Sequence, residues 1–115
     1  MSTEWLARRT RNGNVLCGRM VAGQHVCQGP IGAVDADGTF YFLPGTVEDL
    51  ERPGWWRPTA RSAERIAAGR MPRWHRTVRG PSGERVLVWK SPQLPARYPC
   101  PSCHCIALVD STVLP

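Results

Sequence analysis

Three thiols lie within six residues in the stretch Tyr98-Pro99-Cys100-Pro101-Ser102-Cys103-His104-Cys105, and the other two cysteines of the chain are Cys17 and Cys27. Cysteines spaced as Cys100 and Cys103 are can turn both sulfurs toward one point, because a tight turn brings their Cβ vectors together. Zn²⁺ takes four such ligands in a tetrahedron, at about 2.3 Å per sulfur. Cys17 and Cys27 stand ready to supply the other half from the opposite end of the chain. A metal held in this way closes a long loop, which is entropically expensive without a strong bond.

Other chemistry for the same thiols is less well supported. Five cysteines is an odd number, so disulfide pairing leaves one over. A redox-active Cys100/Cys103 pair would call for a βαβ setting, which the flanking residues do not suggest. A catalytic zinc would need an open position and a nearby carboxylate base, and Asp110 is the one acid near the cluster. His25, His75 and His104 are scattered, and no Gly-x-Ser-x-Gly, P-loop or dinucleotide fingerprint is present. The chain therefore reads as a non-enzyme.

The elements that must position these thiols are short. Val15-Leu16-Cys17 reads as a strand entering a knuckle, Met20–Gly23 as a hairpin tip, and Gln24–Cys27 as the returning strand. Ile31–Val34 and Thr39–Leu43 flank Asp35-Ala36-Asp37-Gly38, a strong hairpin signal. Thr59 is placed to cap a helix over Ala60–Ala68, with Gly69 ending it in a left-handed conformation. Arg85–Lys90 and Ile106–Val109 read as strands, Met71–Arg79 as a basic extended segment, and Ser91–Tyr98 as a polyproline-like connector. Ser2–Arg9 has helical composition, and Thr46–Arg52 reads as a loop or one acidic helical turn. The fold class expected is small α+β, mostly β, with a metal site joining N- and C-terminal hairpins and one short central helix.

The Cys100-x-x-Cys103 spacing, with Pro101 inside it and strands on both sides, resembles the knuckle of zinc-ribbon proteins. In those, two hairpin tips each give two ligands and a few strands pack beneath the ion. The resemblance implies Zn²⁺ as cofactor and Cys17, Cys27, Cys100 and Cys103 as its ligands. It covers the two cysteine-bearing ends and leaves out the middle. Motif order and composition also resemble short zinc-ribbon proteins encoded by phages and high-GC bacteria. Two departures leave the ligand set open: His104 stands where knuckles usually place Gly, and Cys17 and Cys27 are far wider apart than Cys-x-x-Cys. His25, His104 and Cys105 are thus alternative ligands.

At 115 residues the chain fits one domain, with a first knuckle and strand at 15–34, a basic insertion at 53–90 and a second knuckle and strand at 98–110. No charged leader with an apolar core opens it and no apolar run reaches membrane-spanning length, so a cytoplasmic, membrane-free protein is expected. Net charge is +6, unevenly spread. Residues 20–51 contain five acids and no Lys or Arg, whereas 52–90 contain nine Arg and Lys90 against Glu64 and Glu84. Arg57, Arg61, Arg65, Arg70, Arg73, Arg76 and Arg79, with Trp74, form the candidate nucleic-acid contact, since Arg neutralises phosphates and Trp stacks on unpaired bases. The bland counterpart is that Trp55, Trp56 and Trp74 fill a small core while the arginines solvate its surface. An acidic protein bound by an adaptor or inhibitor is the competing partner. The acidic block either pairs with the basic segment inside the fold or orients the protein on an anionic partner.

Overall fold

The computed structural model describes residues 3–43, 45–70, 76–79, 81–83, 85–88 and 91–115, with 76–79 and 85–88 described by their backbone. In chain order the strands are β1 (Glu4–Leu6), β2 (Arg8–Arg9), β3 (Asn14–Leu16), β4 (Met20–Val21), β5 (Gln24–His25), β6 (Pro30–Val34), β7 (Phe40–Phe42), β8 (Thr46–Glu48) and β9 (Trp56–Pro58). Helix α1 (Ala60–Ala67) follows, then β10 (Arg76–Arg79), β11 (Arg85–Val88), β12 (Ala96–Pro99) and β13 (Ile106–Val109). This is the small, mostly β fold with one helix that the sequence suggests.

Two sheets carry the metal knuckles. One has the order β2-β3-β6-β7 and the other β1-β13-β12. In the second, the first strand of the chain runs parallel to the last, with Glu4 opposite Ile106 and Leu6 opposite Leu108. Ser2–Arg9 is therefore strand in its described part, not helix. So short a helix would be marginal alone, and pairing with β13 satisfies the backbone instead. The connector before Cys100 is likewise partly strand: β12 pairs antiparallel with β13, Tyr98 opposite Ala107. Proline suits this edge, because an edge strand leaves half of its amides unpaired in any case.

Thr46–Glu48 is also strand, pairing antiparallel with β9. The turn between them is built by Asp49, whose carboxylate accepts from the Glu51 amide at 3.0 Å and from Arg52 Nε at 3.0 Å. An acidic run that reads as loop thus becomes a hairpin arm. The Asp-Gly hairpin forms as its sequence dictates, with Asp35 Oδ1 accepting from the Asp37 and Thr39 amides and Gly38 at φ 80°. Helix α1 is capped by Thr59, whose Oγ1 accepts from the Ser62 amide at 3.2 Å, and Gly69 follows it at φ 75°.

The core joins the sheets through Val15, Ile31, Phe40, Phe42, Tyr98, Ala107, Val109 and Val113, and the buried thiols of Cys17, Cys27 and Cys100 belong to the same cluster. Phe42 is its centre: Phe40 lies edge-on at 5.1 Å, Trp56 at 5.1 Å and Tyr98 stacks at 5.7 Å. Trp56 is thus partly buried against the core. Trp55 is covered differently, with the Arg52 guanidinium 4.2 Å from its ring centroid. Burial pushes the Tyr98 phenol above its ordinary range, while a hydrogen bond with the buried Thr46 side chain acts the other way. No helix among the described residues is long and apolar enough to cross a membrane.

Gly18 shows how tightly the first knuckle sits against β1. A Cβ there would lie 1.6 Å from the Leu6 carbonyl oxygen, a backbone atom that cannot swing aside. Gly18→Ala should therefore lower the unfolding free energy, read from urea denaturation, by more than the ~1–3 kcal/mol usual for overpacking. Wild-type stability in that variant would show that β1 does not hold this position in solution.

Candidate metal centre

The four cysteines marked by the sequence converge. Their sulfurs all lie within 4.8 Å of one another. Cys17 Sγ is 3.6 Å from Cys103 Sγ, and Cys27 Sγ is 3.8 Å from Cys100 Sγ. A tetrahedron with arms of about 2.3 Å has edges of about 3.8 Å, so these separations suit four thiolates around one ion. They are far from the ~2.05 Å of a disulfide, and all five cysteines are free. The group can hold a metal ion. Cys17, Cys27 and Cys100 are buried and Cys103 is partly exposed.

Each sulfur is set by a short hairpin. Cys17 leaves β3 and its amide donates to the Gly29 carbonyl at 2.9 Å, while the Val26 amide donates to the Arg19 carbonyl at 3.1 Å. Between them the β4–β5 hairpin turns on Ala22 and Gly23, both in the left-handed region at φ 53° and 80°. The wide spacing of Cys17 and Cys27 is thus absorbed by a two-residue-tipped hairpin that returns Cys27 to the centre. In the second knuckle the Cys100 amide donates to the Cys105 carbonyl at 2.8 Å and the His104 amide to the Cys100 carbonyl at 2.8 Å. His104 takes φ 63°, the left-handed turn that glycine usually fills.

Backbone amides point at the sulfurs. Those of Arg19, Gly29 and Ser102 face Cys17, Cys27 and Cys100, each two residues after its cysteine, and the Cys103 amide also faces Cys100. The Gly29 contact measures 3.4 Å. Such donors favour thiolate over thiol. The hydrogen bond from Cys17 is the largest influence on the Cys100 thiol, which is lowered to about 5 against the opposing effect of burial. Burial pushes Cys27 up to about 11, and the bond to Cys100 drives Cys17 far above its ordinary range. One negative charge settles in the cluster and the next is resisted, which is the electrostatics a dication reverses.

Gly29 belongs to this centre although composition alone does not mark it. A Cβ on Gly29 would stand 2.7 Å from Cys100 Sγ and 3.0 Å from Ser102 Oγ. Its signal in the sequence is a small residue two positions after Cys27, where the amide must face sulfur. Arg19 is a second addition. With Arg70 it lines a cavity of about 390 Å³ that also touches Cys27 and Cys103. A dication among four thiolates keeps a net negative charge, and both of these basic residues line the cavity beside it.

The alternative ligands lie outside the four-sulfur group. His25 is exposed and its Nδ1 lies 3.2 Å from the Gly18 carbonyl oxygen. His104 is exposed, and Cys105 is buried just beyond the second knuckle. Of the basic residues, Arg57, Arg61, Arg65 and Arg70 are exposed. Among the described residues the ion pairs are Arg52–Asp49 and Arg97–Glu4, and neither involves those four. Arg73 and Trp74 lie outside the described residues, as do the side chains of Arg76 and Arg79.

Native mass spectrometry should find one divalent metal ion per chain, retained in His25→Ala and Cys105→Ser and lost in Cys100→Ser. Binding must displace protons from at least Cys17 and Cys27, whose folded values are raised, so metal is favoured as pH rises and released as it falls. Between about pH 5, where Cys100 ionises, and about 11, where Cys27 does, the apparent affinity should rise at least 100-fold per pH unit. A slope below two protons per ion in a competitive chelator titration would contradict the four-thiolate centre. No family model, curated protein or solved structure matches this chain, so the assignment of the centre stands on its own geometry.

Proposed function

We propose that the four cysteines hold a structural Zn²⁺ and that the protein, without catalysing a reaction, contacts nucleic acid through the arginines of its middle segment as an accessory or regulatory factor in the cytoplasm. Tetrahedral all-sulfur donors suit zinc or iron. A site closed by four protein ligands and largely buried suits a structural ion with no open position for chemistry. The free thiols fit a reducing compartment.

The observation that carries the nucleic-acid reading is the state of the described arginines. Arg57, Arg61, Arg65 and Arg70 are all exposed, and among the described residues none is neutralised by a carboxylate. Arg61 and Arg65 are one helical turn apart on the solvent side of α1, while Ser62, Ala63 and Ile66 turn inward. A row of unneutralised guanidiniums on a rigid element is what phosphate oxygens require. The acidic residues Glu48, Asp49 and Glu51 group with Arg57 around a separate cavity, so an anionic strand would be repelled from that side. The role assigned to tryptophan narrows to Trp74, because Trp56 packs against the core and Trp55 is stacked under Arg52.

Zinc is checked by elemental analysis of the purified protein, which should give one zinc per chain and no iron. Nucleic-acid contact is checked by anisotropy with labelled single- and double-stranded DNA and RNA at several salt concentrations. Affinity should fall steeply with salt, and Arg61→Ala/Arg65→Ala should flatten the logarithmic slope by about one per lost phosphate contact. No binding to any of these probes at low salt would overturn the reading. Capture of an acidic protein by the wild type but not by the double variant would then favour the adaptor.

A further inference from the structure

Helix α1 and the second metal knuckle do not close on one another. Between them runs a furrow of about 380 Å³, with Ala63 and Ala67 of the helix on one wall and Pro101 of the knuckle on the other. Arg57, Pro58, Pro99, His104 and the metal-centre residue Cys100 also line it. The lining is mostly apolar, and this volume falls within the ordinary range for small-ligand sites. Small residues and proline rings make up most of its walls, surfaces on which a planar ring can pack.

His104 is the second, independent observation. It is exposed and holds φ 63°, a conformation that glycine would adopt at lower cost. Non-glycine residues in the left-handed region are uncommon and often mark a functional position. Here the backbone cost sets an imidazole on the furrow that also carries Arg57. Both side chains can donate hydrogen bonds to an anion, and an imidazole can stack on a base.

We infer that this furrow receives an unpaired nucleobase of single-stranded DNA, with the flanking phosphate met by Arg57 and the base edge or face by His104. The inference rests on the reading of the arginine row as a nucleic-acid contact and specifies what the protein recognises there. A base in a duplex is stacked and paired and does not present its face to such a slot, so single strands are favoured. The furrow carries no hydroxyl, carboxylate or carboxamide side chain. Its hydrogen-bonding side chains, Arg57 and His104, are engaged by the phosphate and the base, which leaves none to select the 2′-hydroxyl by which proteins distinguish RNA from DNA. The strand then leaves along α1 toward Arg61 and Arg65, since the other cavity that Arg57 lines is acidic.

The test uses the full-length, zinc-loaded protein with a labelled oligo-dT, an oligo-rU of equal length and a DNA duplex. Two variants address the furrow: His104→Gly, which relieves the backbone while removing the ring, and Ala67→Leu, which fills the slot from the helix. Both should keep one zinc per chain. Each should weaken oligo-dT binding about tenfold, the scale of one stacked base, while duplex binding stays within twofold. Unchanged oligo-dT affinity in both variants, with binding still lost in Arg61→Ala/Arg65→Ala, would overturn the furrow and leave the arginine row standing. Equal loss on single strands and duplex would also overturn it, as would oligo-rU binding more tightly than oligo-dT. If the wild type binds none of the three probes, the furrow proposal falls together with the reading it rests on.

Discussion

Everything in this molecule depends on holding two distant stretches of chain together. The sulfur contacts bridge separations of 73 and 86 residues, and loops of that size resist closure on entropic grounds. Two interactions oppose that cost at the same place. One is the four-sulfur centre, and the other is the pairing of β1 with β13 in register from Glu4–Ile106 to Leu6–Leu108. The strand pairing alone is too short for much stability, since β1 has only three residues. A metal supplies free energy of another order, because binding a structural ion to four thiolates is itself folding free energy. The core is built to suit, with Cys17, Cys27 and Cys100 inside the apolar cluster and Cys103 packed against it, so a metal bound there would be coupled to the hydrophobic contacts.

Burying that centre creates an electrostatic problem which the chain solves locally. A sulfur ion in an apolar surround is costly. Amides two residues after Cys17, Cys27 and Cys100 turn to face the sulfurs, and the small side chain at Gly29 lets one of them do so without colliding with Cys100. Arg19 and Arg70 lie at the more open side, where Cys103 reaches the surface.

What the sequence makes legible follows from which interactions are local. Asp35-Ala36-Asp37-Gly38 carries its own turn chemistry, and Thr59 with Gly69 brackets α1 by capping alone, so these elements form where their residues predict. The Cys100/Cys103 turn and the distant Cys17 and Cys27 are legible as a set because tetrahedral coordination demands four donors. Ser2–Arg9 and Thr46–Glu48 mislead because their conformation is set by partners. Glu4–Leu6 is strand only because Ile106–Leu108 lies beside it, and an acidic run becomes a β-arm only because Trp56–Pro58 returns along it. The same reason hides Gly29 and Arg19. Their significance appears only once the opposite end of the chain stands next to them.

Helix α1 shows why the metal centre and the arginine row belong to one device. It has eight residues and none of them is buried, so neither length nor core packing fixes it. Its position is set instead at its start, where the Thr59 amide donates to the Gly45 carbonyl at 2.7 Å and Ser62 occupies the space a side chain on Gly45 would need. Along its length it faces the knuckles: Ile66 toward Cys27, Gly29 and Ser102 on one side, Ala63 and Ala67 toward Pro101 and His104 on the other. Those facing surfaces exist only while four sulfurs hold the two knuckles together. The placing of Arg61 and Arg65 is therefore tied to the four-sulfur centre as much as to the helix that carries them, and an ion held there would bear on that surface without touching it.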